Sequence, residues 1–460
     1  MLRPELLSPA GSLKNMRYAF AYGADAVYAG QPRYSLRVRN NEFNHENLAT
    51  GIKEAHEIGK SFYVVVNIIP HNAKLKTFIR DLTPIIQMKP DALIMSDPGL
   101  IMIVRETFPE MNLHLSVQAN AVNWATVKFW KKIGLSRIIL SRELSFEEIT
   151  EIHHQIPDIE LEIFVHGALC MAYSGRCLLS GYINKRDPNQ GTCINSCRWQ
   201  YKVQEGKEDT VGNIIPHNQP INIKNIHPIL GIGEPTEKVF LIEETKRPGE
   251  YMPVFEDQHG TYIMNSKDLR AIQHVERLIQ IGVHSLKIEG RTKSFYYCAR
   301  TAQVYRQAID DAVEGKPFDP TLLTILEGLS NRGYTEGFLR RHSHDTYQTY
   351  EYGYSVSDTQ QFVGEFTGQR KDGLAEVDVK NKFCLGDNLE LMTPTGNIQF
   401  ILTDLFDKSN LSIQIAPGNG YKVYLLIPEN IDLNFALLIR NLTGITTRNN
   451  PSKKKIKTIK

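Results

Sequence analysis

Over the first three hundred residues, apolar and polar positions repeat one theme: a short apolar run, a polar turn, then an amphipathic stretch. The apolar runs predict strands at Glu5–Ser8, Asp25–Ala29, Phe62–Asn67, Asp91–Ser96, Leu113–Gln118, Arg137–Ser141, Leu161–Val165 and Ser285–Glu289. Between them a 3.6-residue period predicts helices such as His45–Gly59, Trp124–Ile133 and Ser145–Gln155. Ser145 and Glu148 fit a capping box at the start of the last one. Strands and helices alternating at this spacing imply parallel strands with right-handed crossovers. Eight such units predict an α/β fold of the TIM-like (β/α) barrel type. The rival is a doubly wound sheet, but Leu7-Ser8-Pro9-Ala10-Gly11-Ser12 lacks the glycine spacing of a dinucleotide-binding turn.

The theme is interrupted once, from about residue 170 to 260, by a stretch rich in Gly, Pro, Asn and charge, and resumes with a predicted helix Lys267–Ile281. So long an excursion between strands seven and eight reads as functional. After Asn331 the period changes to two. Short β segments are predicted at Phe362–Phe366, Leu374–Val379, Asn388–Met392, Ile398–Leu402, Leu411–Ile415 and Lys422–Leu426, with turns such as Asp372-Gly373 between them. The expected organisation is a barrel over 1–340, a small antiparallel β-barrel domain over 354–445, and a basic tail over 446–460. The last ten residues contain five lysines.

Composition narrows the function classes only a little. With 42% apolar and 23% charged residues the chain is globular, and 53 basic against 51 acidic residues leave a net charge of +2. A nucleic-acid surface would therefore have to be local. The most apolar stretch, Ala92–Val104, is broken by Asp97 and Pro98, too short for a membrane span. Neither an apolar leader at the N-terminus nor a disulfide-like cysteine framework is evident, so a reducing, cytoplasmic setting is expected.

Four of the six cysteines, Cys170, Cys177, Cys193 and Cys197, crowd the start of the excursion, with six, fifteen and three residues between them. Cys298 and Cys384 stand apart. Zinc sites usually pair their ligands as short knuckles, which only Cys193 and Cys197 approach. The irregular spacing suits a four-iron four-sulfur cluster better, with structural zinc second. Cys170 falls just past strand seven, at the end of a β/α barrel where active sites sit. Other strand ends bring polar groups to that face: Asn67, Gln118, Asn120, Arg142, Glu143, His166, Lys287, Glu289 and Arg291. The candidate catalytic groups are Lys287, Glu289 and His166. The candidate substrate-binding groups are Arg37, Arg39, Asn67, Gln118, Arg142 and Arg291. Each could equally belong to a solvated rim; His166 could be a hydrogen-bonded structural histidine, and Glu289 with Arg291 a plain ion pair.

Arg33, Lys185, Arg186, Arg198 and Lys293 add to the basic character of these loops, which fits an anionic substrate, an RNA backbone or both. Tyr347, Tyr350, Tyr352 and Tyr354 form either a stacking platform or an aromatic domain junction. Hydrolytic signatures are missing: His45-Glu46 and His56-Glu57 lack the second histidine of a helical zinc protease, and there is no serine nucleophile elbow.

The stretch Glu162-Ile-Phe-Val-His-Gly-Ala-Leu-Cys-Met-Ala-Tyr-Ser-Gly-Arg-Cys-Leu-Leu-Ser180 resembles the signature of the collagenase-like peptidase family of unassigned catalytic type. The resemblance continues through Ser-Arg-Glu-Leu at 141–144, Lys-Ile-Glu-Gly-Arg at 287–291 and Arg-Gly-Tyr-Thr-Glu-Gly-Phe-Leu at 332–339. Within that family it is similar to the tRNA-hydroxylating branch through residues 28–37 and 180–193, and it runs from residue 2 to about 447. The resemblance implies an iron–sulfur cluster on Cys170, Cys177, Cys193 and Cys197. It also implies oxygen-independent hydroxylation of carbon 5 of the wobble uridine in tRNA, with prephenate as the hydroxyl source. Prephenate is a dicarboxylate, which an arginine-lined mouth suits. The implied partners are thus tRNA and prephenate, with neither DNA nor a membrane. Peptidase activity, suggested by the family's name, and a non-catalytic RNA-binding module are the alternatives.

Overall fold

The computed structural model describes residues 3–36, 42–169, 267–331, 333–340 and 359–442, together with the backbone of five short strands within 206–262. The four clustered cysteines lie outside the described residues, as do Arg37, Arg39, Lys185, Arg186, Arg198, the tyrosines at 347–354 and the lysine tail.

Eight parallel strands close on themselves: β1 (Glu5–Pro9), β2 (Ala26–Gly30), β3 (Ser61–Val66), β4 (Ala92–Met95), β5 (Leu113–Leu115), β6 (Arg137–Ile139), β7 (Glu160–Ala168) and β8 (Ser285–Ile288). Each pairs with the next, and β8 returns to β1 with Glu5 opposite Ser285 and Leu7 opposite Lys287. This is the expected (β/α) barrel. The helices cover it: α1 (Leu13–Ala21), α2 (His45–Glu57), α3 (Phe78–Gln87), α4 (Pro98–Thr107), α5 (Trp124–Lys132), α6 (Phe146–Gln155), α7 (Val275–Ile281), α8 (Phe295–Val313) and α9 (Thr321–Glu327). Six begin on an Asn, Asp or Ser whose side chain accepts the N–H three residues on: Ser12, Asn44, Asp97, Asn123, Ser145 and Ser294. Each cap satisfies an otherwise orphaned donor. The Ser145–Glu148 capping box forms as its spacing predicts.

One predicted helix starts late. Over Lys267–Ile281 the chain first makes a short strand, Asp268–Arg270, then a 3-10 turn, Ile272–His274, and becomes α-helical only at Val275. The reason is β7, whose nine residues run past its barrel neighbours and leave an edge to be paired. Asp268–Arg270 pairs antiparallel with that edge and parallel with Tyr334–Thr335. Satisfying the edge outweighs local helix preference.

The C-terminal region is an antiparallel sheet of six strands: β9 (Gln360–Lys371), β10 (Leu374–Val379), β11 (Asn388–Thr393), β12 (Gly396–Ile401), β13 (Lys422–Leu426) and β14 (Leu437–Asn441). Their order is β12-β11-β14-β9-β10-β13. Asp372 and Gly373 both take positive φ, as a two-residue hairpin turn requires. The strand expected at Leu411–Ile415 is reduced to Ile415–Ala416, paired with Phe383–Cys384, while β14 was not anticipated. Met392, Leu437 and Ile439 of this sheet share the apolar core of the barrel. Tyr296 stacks on Phe362 with ring centroids 5.1 Å apart, and Arg300 pairs with Glu390 at 2.8 Å, both side chains buried. The sheet is packed onto α1 and α8 rather than tethered beside them.

Candidate active site at the barrel mouth

The barrel interior is charged. At the amino end of the strands, Arg137 on β6 meets Glu5 on β1 at 2.6 Å and Glu160 at 2.8 Å, and Tyr63 on β3 donates to Glu5 at 2.6 Å. Higher up, Arg137 reaches Glu162 on β7 at 3.3 Å, and Glu162 takes a 2.7 Å hydrogen bond from the Lys287 ammonium on β8. Glu162 is 0% and Lys287 2% exposed. Burial works against the charge on Arg137, but Glu5 and Glu162 together outweigh it and raise its pKa. For Lys287 burial wins: its pKa lies below the ordinary lysine value although Glu162 pulls it upward. His114 on β5, edge-on to Tyr63 at 4.8 Å, is held neutral by burial and by the charges of Arg137 and Lys287.

Toward the carboxyl ends of the strands, cations and aromatic rings alternate. The Arg142 guanidinium lies 3.8 Å from the Phe164 ring centroid, and Lys287 Nζ is 5.5 Å from the same centroid. Lys287 Nζ is also 4.2 Å from the Tyr28 centroid, with the Arg291 guanidinium 5.8 Å from that ring. The Tyr28 hydroxyl reaches the Glu289 carboxylate at 3.1 Å. Glycine at position 30 is a matter of space: a Cβ there would collide with Ser35 and the Arg291 guanidinium. Arg291 also donates to the Leu36 carbonyl at 2.8 Å, and Asn67 accepts from the Leu36 N–H at 3.1 Å. Asn67 further donates to Ser116 at 3.3 Å. Two candidate substrate-binding residues therefore hold the loop that leads to Arg37 and Arg39.

The structure brings Lys287, Glu289, Arg142 and Arg291 together. Gln118 sits in a single 3-10 turn, Val117–Ala119, at the end of β5. His166 is not part of that group. The β7–β8 register shifts so that Lys287 faces Phe164 but Ile288 faces His166. The extra residue, Val165, turns the histidine to the outer face of the barrel, as a bulge does. There its ring lies among those of Tyr297, Tyr305 and Tyr334 at 5.9, 5.5 and 5.5 Å. Burial lowers its pKa to about 3, which favours the neutral imidazole. Sequence reasoning missed Glu162, Arg137, Tyr28 and Phe164. The signal was present: Arg137, Glu162 and Lys287 are charges inside apolar strand runs, where a buried strand has only the barrel interior to point them into.

The chain that carries the four clustered cysteines leaves this mouth, since β7 ends at Ala168 and Cys170 follows two residues on. The described cysteines do not fit a metal role: Cys298 is buried, donates to the Pro9 carbonyl, and burial pushes its thiol up to about 12. Cys384 lies in the C-terminal domain, in the two-stranded pairing of Phe383–Cys384 with Ile415–Ala416. A set of four thiols in one segment is the donor chemistry of an iron–sulfur or zinc centre.

Fold and mouth define a (β/α)-barrel protein with a cationic, aromatic site at the carboxyl ends of its strands. The chain belongs to peptidase family U32, whose model matches residues 11–349 and whose C-terminal domain model matches 358–440. It is 76% identical to tRNA hydroxylation protein P of Escherichia coli, over 98% of this chain and 99% of that one. Similarity extends at 29% identity to the 23S rRNA 5-hydroxycytidine C2501 synthase of E. coli, over 85% of this chain and 52% of the relative. A Methanocaldococcus jannaschii protein named as an uncharacterised protease is 33% identical over 86% of this chain and 88% of its own length.

Proposed function

We propose that the chain hydroxylates tRNA, forming 5-hydroxyuridine at the wobble position without molecular oxygen and with prephenate as the source of the hydroxyl. The observation that carries this reading is the alternation of Arg142, Phe164, Lys287, Tyr28 and Arg291 across the mouth. An enzyme acting on a base must take it out of the stack, which costs little for a loop nucleotide. Three cations beside two aromatic faces suit a planar base with its phosphates, and equally the two carboxylates of prephenate. The similarity to a tRNA hydroxylation protein and to an rRNA hydroxycytidine synthase supports the same class of reaction.

Cys170, Cys177, Cys193 and Cys197 would hold a four-iron four-sulfur cluster, with zinc as the second candidate. Such a cluster supplies electron transfer when bound. The remaining work belongs to the described residues. Lys287, Arg142 and Arg291 fix anionic groups, Tyr28 and Glu289 offer a hydroxyl and a carboxylate for hydrogen bonding, and Asn67 and Arg291 hold the adjoining loop in place. Peptidase chemistry finds no support among the described residues, where the Cys298 thiol is buried with a raised pKa and His166 faces away from the mouth.

Mass spectrometry of tRNA nucleosides tests the reading. A strain lacking this gene should lose 5-hydroxyuridine and its derivatives, and a plasmid copy should restore them. Unchanged nucleosides in the deletion strain would refute it. Protein purified without oxygen should contain about four irons per chain, and any one of the four cysteines changed to serine should abolish that iron. Stoichiometric zinc instead of iron would sink the cluster assignment.

A further inference from the structure

The charged ladder inside the barrel does more than fill it. Among the described residues, Lys287 is the rung that belongs both to the ladder and to the mouth. Below it, Glu162 receives its 2.7 Å hydrogen bond and is itself gripped by Arg137, which Glu5 and Glu160 hold in turn. Above it, the Tyr28 and Phe164 rings flank the ammonium. Four neighbouring strands, β1, β2, β6 and β7, thereby fix one nitrogen carried by β8. A lysine is ordinarily a flexible point charge on a four-carbon stem; this one has almost no freedom left.

We propose that Glu162 is a positioning residue: backed by Arg137 and Glu5, it locks Lys287 as a stationary cation at the floor of the mouth, facing the bound anion or base. This rests on the hydroxylation reading for what Lys287 faces, but not for the lock itself. The competing role, a neutral lysine amine that shuttles a proton, needs Lys287 to lose its charge easily. Glu162 opposes that loss. The groups facing Lys287 are Glu162 from β7, Glu289 just past β8, Arg137 from β6, His114 from β5 and Tyr28 from β2. Glu5 and Tyr63 act on it at one remove, through Arg137. Among these charged groups Glu162 acts most strongly, being fully buried and in direct contact, and it works against the burial that lowers the lysine's pKa.

The experiment is a pH titration by NMR of full-length protein labelled with carbon-13 at lysine Cε, the Lys287 resonance being assigned by its loss in Lys287→Arg. In Glu162→Gln the midpoint of Lys287 should fall by about one pH unit or more, whereas Glu162→Asp should keep it near the native value. In the complemented deletion strain, Glu162→Gln should cut tRNA hydroxylation by roughly tenfold or more, a factor typical of misplaced binding groups, and Glu162→Asp should recover part of it. An unshifted midpoint in Glu162→Gln would overturn the lock. A shifted midpoint with native levels of modification would overturn the positioning role. Should Glu162→Gln fail to fold, Glu5→Gln probes the same ladder one step lower: a smaller shift of the same sign supports it and no shift overturns it. If the native protein itself does not modify tRNA, the hydroxylation reading fails alone, and the titration still decides the lock.

Discussion

Lys287 and His166 lie on adjacent strands, both buried, yet their surroundings give them opposite characters. Lys287 keeps a carboxylate partner; His166 has three tyrosine rings and no ionic hydrogen bond among its described contacts. Removing the charge in Lys287→Met should reduce hydroxylation by two orders of magnitude or so, the usual scale for losing a preorganised charge at a reaction centre. Lys287→Arg, which keeps the charge but not the fit, should recover only part of it. The histidine predicts a pH effect on stability. Its native pKa of about 3 lies below the unfolded value, so between the two the unfolded chain binds a proton that the native state refuses. Stability should therefore fall as pH drops from about 6.5 toward 3, by about 1.4 kcal/mol per pH unit from this residue, with no contribution above that window. Urea midpoints between pH 7 and 5 should show a shallower slope in His166→Phe than in the native protein. Parallel slopes would mean that His166 does not carry this pH dependence.

At the level of elements, the strand and helix pattern was largely legible because a buried parallel strand must be apolar and a covering helix amphipathic. Where the sequence misled, pairing decided against local preference. Asp268–Arg270 is a strand because the overlong β7 offers an edge, and nothing within 267–281 announces a partner a hundred residues away. His166 reads as a mouth residue because it follows the predicted strand end at Val165; the strand instead runs on to Ala168, and one bulge residue turns the side chain outward, which leaves no mark in hydrophobic period. The charges at positions 137, 162 and 287 could have been read as interior, but only by trusting the barrel enough to ask what its strands enclose. The bulge also explains Gly167, with φ of +104°, where a Cβ would collide with the Glu289 carbonyl. Gly167→Ala should cost about 1 to 3 kcal/mol in urea unfolding and displace Glu289 from Tyr28. A native midpoint in this variant would show that the turn relaxes without strain.

Across the whole molecule, the antiparallel domain is bound into the barrel. Tyr22 reaches the carbonyls of Met392 and Phe435 at 3.0 and 2.9 Å, and Gln303 on α8 reaches Thr393 and Asn397. Cutting the chain near residue 340 would strip the cover from Arg300, whose guanidinium pairs with Glu390 in the interior. Breaking one partner of such a pair is costly, so Glu390→Gln should lower stability by about 3 kcal/mol while the mouth stays intact. A fall below about 1 kcal/mol in urea unfolding would mean that the two parts separate easily. If the charged mouth of the barrel hydroxylates tRNA, as proposed, the 5-hydroxyuridine content of tRNA from the deletion strain complemented with Lys287→Met, at matched protein level and melting temperature, should stay near that of the deletion strain. Restoration to the native level would contradict it.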